Sequence, residues 1–207
     1  MRITVFDYGA GNLHSLCKAL ASADHSVLIE SDAQKAAVTD LLVLPGVGAF
    51  ESAALRLKPG LKVMRHAIDE GLPVLGICLG MQLLFDSSEE GPGEGLGVFE
   101  GPVTRVQARR VPHMGWNQLE WPPSSDHDRF SQLPVLHFAY YANSYVCRPE
   151  NLQDVLAWSS EDQDRFPAVV RRKNAIGIQG HPEKSSLPGL QFIQAVIRMA
   201  DQAKVRS

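Results

Sequence analysis

One cysteine of this chain stands between two glycines, in Gly76-Ile77-Cys78-Leu79-Gly80, with an apolar run before it and helix-like sequence after it. That is the form of an elbow on which a nucleophile is displayed where a strand turns into a helix. The first N–H groups of such a helix would favour thiolate over thiol. Free cysteine is also a small buried hydrophobe, so the segment by itself leaves packing and catalysis both open. A thiol nucleophile needs a base and a group to orient the base. Among seven histidines, His181 in "GIQGHPEKS" follows a predicted strand, and Pro182 fixes the backbone beyond it. Glu183 falls on the same side of an extended segment as His181, where it could hold the imidazole tautomer. Alone, this reads first as a surface turn with an incidental carboxylate, ahead of a catalytic pair. The third element is "LPGVGAF", residues 44–50. Glycines after a buried strand expose consecutive N–H groups, and Val47 and Gly48 with the N–H of Leu79 would make an oxyanion hole. An ordinary tight turn is the plain alternative.

Elements that place these groups together are legible in the hydrophobic pattern. "RITVF" and "HSVLIE" read as strands, with a helix over "NLHSLCKALASA" between them. "DLLVLPG" and "PVLGI" are short unbroken apolar runs, as in strands buried on both faces of a parallel sheet, and Phe50 to Glu70 reads as helix broken at "KPG". Strand and helix thus alternate up to Phe85, which predicts an α/β fold: a three-layer, doubly wound, mostly parallel sheet. From Gly91 glycines, prolines and alternating runs predict an antiparallel extension. "NAIGIQGHPE" returns to a strand, and "LPGLQFIQAVIRMADQA" predicts a closing amphipathic helix. In such a sheet Cys78 and His181 both lie at carboxyl ends of strands, where these folds place their sites. No repeat or linker interrupts the chain, so residues 1–207 are expected to form a single domain.

A formal charge of -3 argues against binding nucleic acid through its phosphates. The three cysteines, Cys17, Cys78 and Cys147, lie far apart without a CxxC pair, which fits a reducing cytoplasm better than a disulfide framework. There is no signal-peptide pattern and no apolar run of about 20 residues to span a membrane. No cofactor motif is present, and His113, His127 and His137 lack metal-ligand spacing, so no metal is expected.

"PGVGAF", "GICLGMQLLF" and "HPEKS", in that order, resemble the class I, triad-type glutamine amidotransferases, whose fold is flavodoxin-like. "DYGAGNLHSL", "SSEEGPG" and above all "VPHMGWN" (111–117) are similar to the glutaminase subunits of imidazole glycerol phosphate synthases. The resemblance implies that Cys78 attacks the amide of glutamine, with His181 as base and then acid and Glu183 as orienter. It implies that Gly48, Gln82, Glu90, Ser144 and Tyr145 contact glutamine. It also implies a heterodimer with a (β/α)8 cyclase subunit that receives the ammonia, faced by Asn12, Trp116, Tyr140 and Lys184. The Gly46–Gly48 loop is then expected to switch between donor and non-donor orientations of a peptide. Two positions depart from many relatives: Gly180 stands where an aromatic residue precedes the histidine, and Asn143 where a histidine is found. Rival readings are a glutaminase of the vitamin B6 or anthranilate synthase type, a cysteine peptidase-like hydrolase, or a scaffold with a structural or redox-sensing cysteine.

Overall fold

The computed structural model describes residues 1–9, 13–21, 24–46, 48–122 and 132–206, with side chains described as far as residue 203. Asn12, Val47 and His127 lie outside the described residues. In chain order the strands are β1 (Arg2–Phe6), β2 (Ser26–Glu30), β3 (Leu41–Leu44), β4 (Val74–Ile77), β5 (Ser87–Ser88), β6 (Pro102–Arg105), β7 (His113–Gln118), β8 (Phe138–Asn143), β9 (Tyr145–Cys147), β10 (Val155–Glu161), β11 (Asp164–Arg172) and β12 (Ala175–Ile178). The helices are α1 (His14–Leu20), α2 (Ala33–Ala36), α3 (Phe50–Leu57), α4 (Leu61–Asp69), α5 (Leu79–Gln82) and α6 (Ser186–Arg206). A 3-10 turn over Lys58–Gly60 separates α3 from α4, at the break that "KPG" predicts.

The main sheet has seven strands in the order β10-β11-β12-β4-β3-β1-β2. From β12 to β2 every pairing is parallel, and β10 and β11 add to the β12 edge as antiparallel strands. The apolar runs explain why β3 and β4 occupy the middle: each residue of both strands is buried, so neither face can meet water. Alternation along a strand sends neighbouring side chains to opposite faces. Ile3, Val5, Leu41, Val43, Leu75 and Ile77 therefore enter the core under α1 and α6. Phe6, Leu42, Leu44 and Val74 enter the core under α2, α3 and α4. The result is the three-layer arrangement the pattern predicts.

The antiparallel part divides in a way the sequence does not show. Its last hairpin joins the main sheet as β10 and β11, while β5-β6-β9 and β7-β8 form two small separate sheets. A partly buried ion pair ties one of these to the large sheet: one guanidinium nitrogen of Arg148, just after β9, donates to both carboxylate oxygens of Asp164, at the start of β11, at 2.8 and 2.7 Å. The helix expected after Cys78 is a single turn, Leu79–Gln82.

Candidate active site

The elbow is built by two adjacent strands. β4 and β12 pair in register with Ile77 opposite Ile178, and the Cys78 N–H donates to the Ile178 carbonyl at 2.7 Å. Cys78 itself has φ 48° and ψ -106°. That backbone conformation costs a residue with a Cβ about 1–3 kcal/mol, and the surrounding packing holds it. Gly80 is what allows the turn to pack. A Cβ there would lie 1.9 Å from the Leu44 carbonyl oxygen, and one at Gly76 would lie 2.5 Å from the Gly80 oxygen. The two glycines thus let α5 lie directly on β3 and β4.

The structure brings the cysteine, the histidine and the carboxylate together. His181 follows β12, is 2% exposed, and lies beside Cys78: a single Cβ placed on Gly46 would be within 2.9 Å of both side chains. Its Nδ1 is 2.8 Å from Oε1 of Glu183, which fixes which ring nitrogen faces the carboxylate. Burial pulls the imidazole toward neutrality. The Cys78 sulfur and then Glu183 outweigh burial, and the ring's pKa is pushed up to about 10. The favoured state is therefore an imidazolium beside a sulfur, the pairing a thiolate nucleophile requires. Because α5 is only one turn long, His181 is the more important electrostatic support for that sulfur. Gln179 adds another: its side-chain amide donates to Sγ at 3.6 Å from a fully buried position. Sequence reasoning passed over Gln179; the signal was its place in the same strand end as His181.

The loop after β3 lies over this pair. A Cβ on Gly46 would come within 2.8 Å of His181 Cε1 and 2.9 Å of Cys78 Cβ, so only glycine fits. Cys78 is 5% exposed beneath it. Tyr8, also passed over, donates its buried hydroxyl to the Pro45 carbonyl at 2.9 Å and so anchors the start of the loop. Burial first, and then the nearby Cys78 and Asp7, push the Tyr8 phenol well above its ordinary value, so it stays a donor. At the far end Glu90 accepts the Phe50 N–H at 2.8 Å, capping α3, which has no side-chain cap of its own. Glu90 therefore shapes the loop in this structure. Gly48 lies between these anchors with φ 104°.

The other expected residues surround this centre. Gln82 is buried and donates to the Tyr145 carbonyl at 3.0 Å; Asn143 donates to the same oxygen at 3.1 Å. Ser144 accepts from Val106 through its carbonyl. The space beside Gly180 is filled from another strand: a Cβ there would lie 2.8 Å from Ala139 Cβ and 3.5 Å from Tyr141 Cζ. Trp116 and Tyr140 face each other across β7 and β8 with ring centroids 6.4 Å apart. Met114, Trp116 and Phe138 are all more than half exposed on that same hairpin. Lys184 is exposed and, with Leu13, Leu16, Pro45, Gly46 and Glu183, lines a cavity of about 250 Å3 next to the loop.

Comparison with known proteins agrees with this geometry. The family model for class-I glutamine amidotransferases matches residues 4–197. A protein of Thermosynechococcus vestitus, the imidazole glycerol phosphate synthase subunit HisH, is 41% identical over 202 residues, covering 95% of this chain and 96% of its own. The HisH subunit of Carboxydothermus hydrogenoformans is 43% identical over 199 residues, covering 94% and 98%. Among solved structures, a glutamine amidotransferase has a TM-score of 0.74 at 19% identity, with 96% of this chain and 98% of that chain covered, a likeness of fold.

Two outcomes test this construction. In Cys78→Ala the imidazole loses its principal support while burial still opposes its charge, so its pKa falls by roughly one unit or more; ring nitrogen NMR across the pH range measures it, and titration still near 10 would contradict the pairing. Gly80→Ala forces α5 off β3 and lowers unfolding free energy in urea by about 3 kcal/mol, whereas Gly71→Ala, with open space around it, costs only about 1–2 kcal/mol from its positive φ.

Proposed function

The chain belongs to the class-I glutamine amidotransferases, and within them to the HisH subunits of imidazole glycerol phosphate synthase; on that premise we propose how its residues hydrolyse glutamine in histidine biosynthesis. The observation that carries the reading is the close grouping of Cys78, His181 and Glu183 at the ends of two paired strands. The Cys78 thiolate attacks the side-chain amide carbon of glutamine, and the oxyanion is received by N–H groups of Leu79 and the Val47–Gly48 segment. As the C–N bond breaks, His181 gives its proton to the departing nitrogen, which leaves as ammonia. Water then attacks the thioester carbonyl, His181 takes its proton, and glutamate leaves as the sulfur departs. Glu183 keeps the ring turned toward the sulfur throughout.

Gly48, Gln82, Glu90, Ser144 and Tyr145 are the proposed glutamine contacts, and Glu90 also ties substrate binding to the loop it caps. Cys78 is 5% exposed beside the loop that begins at Gly46, so the loop is proposed to move for glutamine to reach the sulfur, and the glycines there make such a rearrangement sterically cheap. The proposed partner is a (β/α)8 cyclase subunit that takes the ammonia, in a heterodimer formed in the cytoplasm. Asn12, Trp116, Tyr140 and Lys184 would face it. The exposed Met114 and Phe138 widen that face into an apolar surface of the kind partners cover. The chain is proposed to act as one domain with no cofactor or metal. Among the described residues no helix is long and apolar enough to cross a membrane.

Cys78→Ala, assayed with the cyclase and its nucleotide substrate, is expected to lose glutamine-dependent product formation by about 10³-fold or more. Supplied ammonia still supports turnover. Retained glutamine dependence would remove Cys78 from the chemistry, and loss of both activities would show failed assembly.

A further inference from the structure

The side chain of His181 is held by Cys78 and Glu183, and its main chain is held by something else. The His181 N–H donates to the Tyr140 carbonyl at 2.7 Å. The Tyr140 N–H donates to Oγ of Ser185 at 2.9 Å, and that hydroxyl donates to the His181 carbonyl at 2.6 Å. These three bonds close a ring linking the imidazole-bearing residue to the β7–β8 hairpin. The Tyr140–His181 pairing is an isolated bridge, so no longer ladder fixes it. Ser185 is 1% exposed. Its single O–H and one of its lone pairs are both committed to the ring.

The surroundings are shaped to keep the ring closed. Gly180 permits it, because a side chain there would drive Ala139, and β8 with it, away from His181. On the other side, a Cβ at Gly189 would lie 2.1 Å from the Pro182 carbonyl oxygen, so α6 presses against the turn that presents Ser185. Ser186, the first residue of α6, has φ 56°, a left-handed conformation held without glycine. The His181 carbonyl also accepts from the Lys184 N–H at 3.0 Å. Removing the hydroxyl would thus leave that oxygen satisfied and the Tyr140 N–H without its partner.

We propose that Ser185 is a positioning residue for the general base: its hydroxyl fastens the main chain of His181 to β8, so that the hairpin carrying Trp116 sets where the imidazole stands relative to Cys78. This rests on the reading of Cys78 and His181 as the reacting pair. The position of the base matters steeply, since misplacement by about 1 Å can cost about 10² in rate. A surface that covers the outer face of the hairpin therefore reaches the main chain of the base by two routes, the direct bond to the Tyr140 carbonyl and the two-bond path through Ser185.

The test compares Ser185→Ala, Ser185→Cys and Ser185→Thr in the full chain. Alkylation of Cys78 by iodoacetamide at neutral pH, followed by mass spectrometry of the peptide that carries it, reports the sulfur beside its base without needing glutamine or a partner. Alanine, and cysteine with its weak hydrogen bonding, are expected to slow it about tenfold, while threonine, which keeps the hydroxyl, stays within about threefold of wild type. With the cyclase present, kcat for glutamine in the alanine variant falls by a similar factor while KM moves by less than about twofold. Cysteine keeps the side-chain volume, so it decides the matter should alanine fail to fold. Wild-type alkylation in folded alanine or cysteine variants overturns the proposal, as does a folded threonine variant as slow as they are. If the wild type turns over no glutamine, the proposed function fails, and the alkylation rates still judge Ser185.

Discussion

The site depends on one backbone hydrogen bond, from the Cys78 N–H to the carbonyl of Ile178 at 2.7 Å. It extends the parallel ladder of β4 and β12 past the last residue of β4, and so sets Cys78 beside the strand that delivers His181. Cys78 and His181 are far apart in the chain, yet their separation in space is fixed by the least adjustable parts of the fold. Strands buried on both faces cannot slip by one residue without turning their apolar side chains to the wrong side.

With the backbones fixed, the electrostatics follow from burial. A histidine that is 2% exposed would ordinarily be neutral, and its charge is sustained here only by what it touches, the Cys78 sulfur before Glu183. The same burial keeps water from screening the pair. The arrangement has a cost: Cys78 holds a backbone angle that its side chain disfavours, and Gly46 and Gly80 occupy positions where any other residue would collide. Stability is given up at the elbow and recovered in the two cores on either side of the sheet, a common division of labour at functional sites.

Much of this was legible in the residues. The apolar runs at 41–44 and 74–77 announce central parallel strands, and the residues between Cys78 and its flanking glycines announce the elbow. "HPE" places the carboxylate beside the imidazole within one short segment, so local sequence was enough. What the residues could not show is contact between distant segments. Tyr8 reaching Pro45, Glu90 capping α3 and Ser185 meeting Tyr140 join parts of the chain whose spacing carries no periodic signal. The helix after Cys78 reads longer in sequence than it is, because "LGMQLLF" is apolar on account of its burial on all sides and not through a helical stripe. Gly180 makes sense only once β8 is seen against it: Ala139 occupies the space a side chain there would need. Met114 and Phe138 were recoverable from strand alternation, since each lies two residues from a position that the family resemblance marks as partner-facing, Trp116 and Tyr140.

The central claim is that the sulfur of Cys78 reacts with the amide carbon of glutamine. A diazoketone analogue of glutamine, applied to the chain together with the proposed cyclase partner, tests that claim most directly through peptide mass spectrometry. The account predicts one label per chain, on Cys78, with loss of glutaminase activity in proportion and protection by glutamine. Inactivation with the label on Cys17 or Cys147, or full activity with Cys78 labelled, would contradict it.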